Sequence, residues 1–236
     1  GQLWATSHLH LNDRKEYKIA AKLLKVEIEK TKLKSHERRL LLGLINQAQQ
    51  ASFILSFSER GDLLSQWRAY CSEGHGYSLG FSQHHAVFRS AKQHSFNLIR
   101  CEYDPTRQRK LCKQLIANFV ERYFGSAEYR GSEDMADRIK AFFNRYQWQY
   151  TLALLSSSLK HKGFAEEEEW RLVSQYPDDL IPNLEYRVGR FGVTPYYSLP
   201  IIVGDEQKLI DNCNDSLKYG KQEPALKPGI LVASRS

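Results

Sequence analysis

Lys162-Gly163-Phe164-Ala165-Glu166-Glu167-Glu168-Glu169-Trp170-Arg171-Leu172-Val173 runs four consecutive acids into a segment with the make-up of a β-strand. Side chains alternate along a strand. A strand continued back through the acids therefore puts Glu167, Glu169 and Arg171 on one face, and Glu168, Trp170 and Leu172 on the other. Carboxylates gathered at the mouth of a strand repel one another unless a cation, a sugar hydroxyl or a reaction uses them. The plainer reading is a solvated acidic turn ahead of an edge strand, with Arg171 bridging to Glu167 on its own face. Either way, a strand stands late in the chain.

Working upstream, helical patterns cover Asp134 to Leu159 and Thr106 to Phe124, and Phe96 to Tyr103 reads as a strand closed by Asp104-Pro105. Tyr77 to Phe81 is another strand. Gly74 and Gly76 separate it from a short helix, Leu63 to Cys71, capped by Asp62. Ala51 to Ser58 is uncharged and β-rich, as a core strand should be. Before it, His36 to Gln50 turns Leu40, Leu41, Leu44 and Ile45 inward. A helix from Arg14 does the same with Tyr17, Ala20, Ala21, Leu24 and Ile28. Asn12-Asp13 with Glu16 makes its cap, and Gln2 to Thr6 is strand-like. Downstream, Glu185 to Arg190, Tyr196 to Val203 and Ile230 to Ala233 are strands, with a helix over Asp205 to Tyr219. Strands at both ends with helices inserted between them predict an α+β fold on a mixed, largely antiparallel sheet. No repeat or low-complexity linker divides the 236 residues, so one domain spanning 1–236 is the expectation.

The charge is +7, with the excess concentrated in Lys15 to Arg39 and Arg107 to Lys113. Such runs read first as wet helix faces. Alternatively, with Tyr103, Phe119 and Tyr123 nearby, they suit a nucleic-acid-binding module. Cys71, Cys101, Cys112 and Cys213 form no C-x-x-C pair, which suggests reduced thiols and a cytoplasmic setting. No run is long enough to cross a bilayer, and none has the make-up of a cleavable signal.

Several chemistries find little support. G-x-G-x-x-G, the phosphate-loop motif and the G-x-S-x-G elbow are missing. His8 with His10, or His84 with His85, lacks an identifiable third metal ligand, so no metal site is assigned. Pro177-Asp178 followed by Glu185-Tyr186-Arg187 resembles the PD…(D/E)xK arrangement of metal-dependent nucleases. Arginine stands where lysine is needed, and arginine does not readily give up its proton.

Five separated motifs occur in order: Asn12-Asp13-x-x-Glu16, Ser56-Phe57-Ser58, Trp67-x-x-Tyr70, Gly76 to Phe81, and Glu167-x-Glu169-Trp170-Arg171. In this order they resemble a widespread bacterial domain-of-unknown-function family. The layout is also similar to that of ADP-ribosyltransferases, which carry an early serine-bearing strand and a late strand opening with E-x-E. That similarity implies NAD as cofactor, Glu169 as the catalytic acid and Glu167 as the residue that places or activates the acceptor. It further implies support of the glutamate or ribose by Ser56 or Ser58, and aromatic faces for nicotinamide at Trp67 and Tyr70. The bland counterpart is that Trp67 and Tyr70, one turn apart, are core packing. Arg171 would meet the cofactor's phosphates. The acceptor would be a protein or nucleic acid, and the setting a toxin or defence effector. The transferase pattern also implies an early strand carrying His or Arg: either that strand precedes Gly1, or another residue grips the cofactor, or the similarity does not extend to cofactor binding.

Overall fold

In the computed structural model, which describes residues 1–10, 16–48, 52–71, 76–81, 86–93, 95–125, 135–174, 184–189, 192–200 and 229–232, the late strand is β5 (Glu169–Ser174). It lies between β2 (Phe53–Ser58) and β4 (Phe96–Arg100), antiparallel to both. The sheet is completed by β1 (Gln2–Ser7), β3 (Ser78–Phe81), β6 (Leu184–Gly189), β7 (Gly192–Pro200) and β8 (Gly229–Val232). Every pairing between these strands is antiparallel, and helices are inserted among them, so the fold is α+β.

β2 is where the sheet branches. One of its edges is paired with β5 from Ile54 to Ser58. The other is shared: β1 takes Phe53 and Ile54, and β8 takes Ser58. Between those contacts, among the described residues, no strand pairs with Leu55 to Phe57 on that edge. The sheet splits there, beside Ser56.

Alternation sorts the two faces. Phe53, Leu55, Phe57, Phe96 and Leu172 join Leu3, Ala5, Tyr197 and Leu199 in one core, closed by Val87 and Ala91 of α4 (Ala86–Gln93). On the opposite face Ile54, Ile99 and Val173 pack against Leu154 of α6 (Met135–Ser158). Behind α6 stand α1 (Glu16–Lys30), α2 (Ser35–Ala48) and α5 (Pro105–Phe119). Their apolar stripes close a second core around Leu24, Ile28, Leu41, Leu44, Ile116 and Leu152, all almost completely buried. The stripe that predicted Ala20, Leu24 and Ile28 as buried is the one the bundle uses.

Local differences have local causes. The strand expected from Phe96 to Tyr103 ends at Arg100 because Glu102 turns away to pair with Leu159. The strand expected from Tyr196 starts at Gly192, since a hairpin pairs Val193 with Val188. The helix expected to reach Phe124 becomes π-helical over Val120–Phe124 and stops at Gly125, where a Cβ would collide with the Glu121 carbonyl. Asp62 does not cap α3 (Leu64–Tyr70): the N-cap is Leu63, without a side-chain bond. The proposed Asn12-Asp13 cap, His84-His85, Pro177-Asp178, the helix over Asp205 to Tyr219 and strand residues beyond Pro200 lie outside the described residues. No described helix is long and apolar enough to cross a membrane.

Candidate active site

Opposed residues of an antiparallel pair point to the same face. The register sets Ser58 opposite Glu169 and Ser56 opposite Arg171. The sheet thus brings both serines, Glu169 and Arg171 to one face, the face covered by α6. Glu167 reaches the same place by a different route from the one expected. The strand does not extend back to it. Glu167 ends a short 3₁₀ turn, Lys162–Glu167, and Glu168 adopts the left-handed conformation at φ 42°, ψ 53° before β5 begins.

The centre of the cluster is a residue the motifs did not flag. Lys160 Nζ donates to Glu167 Oε2 at 2.5 Å and to Glu169 Oε2 at 2.6 Å. From the far side, Arg171 donates from Nε to Glu169 Oε1 at 2.8 Å and from Nη2 to Oε2 at 3.0 Å. Its Nη1 is bonded to the Ser157 carbonyl at 2.8 Å, at the end of α6. Arg171 therefore pairs with Glu169, and the Glu167 carboxylate with Lys160, in place of the expected Arg171–Glu167 bridge. Two cations and two carboxylates leave the group neutral, which is the condition under which buried charge is tolerated.

Each charge is held in place. The backbone of Lys160 is fixed by hydrogen bonds of Gln108 Nε2 to the carbonyls of Glu102 and Lys160, both 2.7 Å, and by its own amide donating to the Glu102 carbonyl. Its ammonium lies 5.0 Å from the centre of the Phe164 ring. The Glu169 amide donates to the Tyr103 hydroxyl oxygen at 2.9 Å. Ser58 Oγ donates to the Glu167 carbonyl at 2.6 Å and accepts from the Arg60 amide, tying the 3₁₀ turn to β2. His161 Nδ1 accepts from the Gly163 amide at the turn's start. Burial works against the charge of Glu169, yet Arg171 and Lys160 together hold its carboxyl down at about 2. Burial pushes the Tyr103 hydroxyl well above its usual range.

Access differs across the group. Glu169 is 5% exposed and Arg171 2%, whereas the Glu167 side chain keeps 21% of its surface. Approach from solvent is therefore by way of Glu167.

The aromatic pair is carried by α3. Trp67 and Tyr70 are half-buried on α3, and Trp67 Nε1 donates to Asp62 at 2.7 Å, so Asp62 anchors the indole where a cap was expected. The elements that pack closely on β5 are β2, β4 and α6, not α3. Gly76 lies where a Cβ would strike Cys71 Sγ, and so lets the chain close in on the Trp67 helix. Of the stacking residues named from sequence, Phe119 is buried and Tyr123 lies parallel to it at 4.8 Å. Cys71, Cys101 and Cys112 are free thiols.

Lys160 and Gln108 escaped sequence reasoning, and Tyr103 was named only as a stacking residue, because no motif ties any of them to the acids. The one available signal was Lys160-His161-Lys162 between the end of a helical pattern and the acidic run. A cation placed there is the natural counter-charge to the acids that follow.

No curated protein and no solved structure matches the chain. Over residues 66–172, just under half of the chain and including Trp67, Tyr70, Lys160, Glu167, Glu169 and Arg171, the sequence matches the model of a family described as a protein of unknown function (DUF2971).

Proposed function

We propose that the protein is an NAD-dependent ADP-ribosyltransferase-like enzyme acting on a macromolecule, a function suited to a bacterial toxin or defence effector. One observation carries the reading: two carboxylates, Glu167 and Glu169, close on a single point of positive charge, now occupied by the Lys160 ammonium. NAD supplies a ribose whose bond to nicotinamide breaks with positive charge developing on the sugar. A site already arranged to hold a cation between two acids suits that charge once the Lys160 ammonium moves aside.

In this reading Glu169, ionised at any physiological pH, provides the fixed negative potential. Arg171, whose donors are bound to Glu169 and the Ser157 carbonyl, is a positioning residue and not a phosphate ligand. Glu167, the more exposed acid, takes the acceptor's proton once Lys160 swings aside. Ser56 borders the split in the sheet and offers a hydroxyl to the ribose, while Ser58 holds the Glu167 turn. Trp67 and Tyr70 offer aromatic faces to nicotinamide from α3.

The test is incubation with NAD labelled in the adenylate half, with and without nucleic acid or protein extract, following free nicotinamide and transferred label together. Glu169→Gln and Glu167→Gln should each lower nicotinamide release by about 10²-fold or more. Release that persists undiminished in both variants, or an unmodified protein that never turns NAD over, rejects the proposal.

A further inference from the structure

Helix α5 carries Arg107, Arg109, Lys110 and Lys113 and no acid at all. All four stand in its first three turns, and Arg107 lies in the first, where the helix dipole is positive and cations are least favoured. Asp104, capping the helix, and Glu102, 3.9 Å from Arg107, offset part of this charge. The four side chains are exposed. An anion lying along this end would remove an electrostatic penalty that the fold leaves standing.

There is a place for one. Between α5 and the C-terminal end of α1 runs an open cleft of about 730 Å³. Lys30, Arg109, Lys110 and Lys113 form its rim; Ile116 and Val120 are among its apolar lining. Glu27 and Glu121 also line it, but Glu27 is neutralised by Lys30 at 2.8 Å. The cleft is therefore net positive, in a chain of charge +7.

We infer that this cleft seats the phosphate backbone of a single nucleic-acid strand. Its cations follow one helix, as a row of phosphates requires, and the field of the whole chain steers a polyanion toward it. A flexible single strand can follow the floor of a cleft between two helices, whereas a duplex, stiff over about 50 nm, lies only across its rim. Recognition is of backbone and not of bases, because no aromatic ring is among the described residues that line the cleft. The inference does not depend on NAD chemistry, and binding is measured without NAD.

The probe is a fluorescent single strand of roughly 20 nucleotides, titrated by anisotropy at several salt concentrations. Lys110→Glu with Lys113→Glu should weaken binding about tenfold or more and lower the slope of log K against log salt by about 1.4, at about 0.7 per phosphate. Arg68→Glu with Lys92→Glu makes the same change in net charge on α3 and α4 and should leave affinity within about twofold if the cleft is the site. Circular dichroism confirms that both variants are folded. Equal loss in the two variants, no salt-dependent binding by the unmodified protein, or displacement by polyglutamate as effective as by unlabelled strand overturns the assignment.

Discussion

Glu169 stays ionised where burial alone would neutralise it, and this makes stability depend on pH in a definite direction. An unfolded glutamate titrates near 4.5, whereas the folded one titrates at about 2. The unfolded chain therefore takes up the proton first as pH falls. The contribution is complete above pH 4.5 and drains away between there and pH 2, for a total of about 3 kcal/mol. Urea midpoints measured from pH 6 down to pH 2.5 should show that decline, and Glu169→Gln should flatten it. At pH 7 the same substitution should lower stability by about 3 kcal/mol, because Arg171 and Lys160 keep their charges without their shared acid. Glu168 offers a second test. Its left-handed backbone disfavours any side chain branched at Cβ, so Glu168→Val should be less stable than Glu168→Gly by about 1–2 kcal/mol. Both variants lack the carboxylate near Arg60, so the comparison isolates the backbone. At this scale the sequence was partly legible. Alternation placed Glu169 and Arg171 on one face, but it carried the strand two residues too far. A single left-handed residue, which no pattern announces, gives Glu167 a different approach to the same point.

Elements were legible where apolar spacing was strict. The stripes Leu24–Ile28 and Leu41–Leu44–Ile45 are buried, because a helix packed on other helices has only one face to hide. α4 went unseen. Its eight residues hold only a few apolar positions, too few for a period to show. Strand ends were misplaced wherever a neighbour, and not the strand's own residues, decides where pairing stops, as Leu159 does for Glu102. The element that joins the sheet to the helical core is α6, whose Leu152 is fully buried in that core. Leu152→Ala should lower stability by about 2–5 kcal/mol, read as a shift in urea midpoint with the slope unchanged.

Across the molecule, the ion cluster is also the joint between layers. Arg171 belongs to the sheet and binds the end of α6; Lys160 follows α6 and binds the mouth of β5; Gln108 of α5 clamps the chain between them. Sheet and bundle should consequently open together. Amide exchange should give similar opening free energies for Leu55 and Leu172 in the sheet and for Leu24 and Ile116 in the helices. A gap of more than about 2 kcal/mol between the two sets would show that the layers unfold separately.

The branching at β2 also bears on how the chain is made. As synthesis proceeds, the apolar run Phe53-Ile54-Leu55 emerges after β1, which among the described strands pairs with it through two residue pairs. Its long ladder must wait until Ser174 has been translated, and β1 waits longer still for β7. Nascent protein of this kind carries a sticky, half-satisfied strand until the residues up to Ser174 are made, so its yield should depend on chaperones that shield such segments.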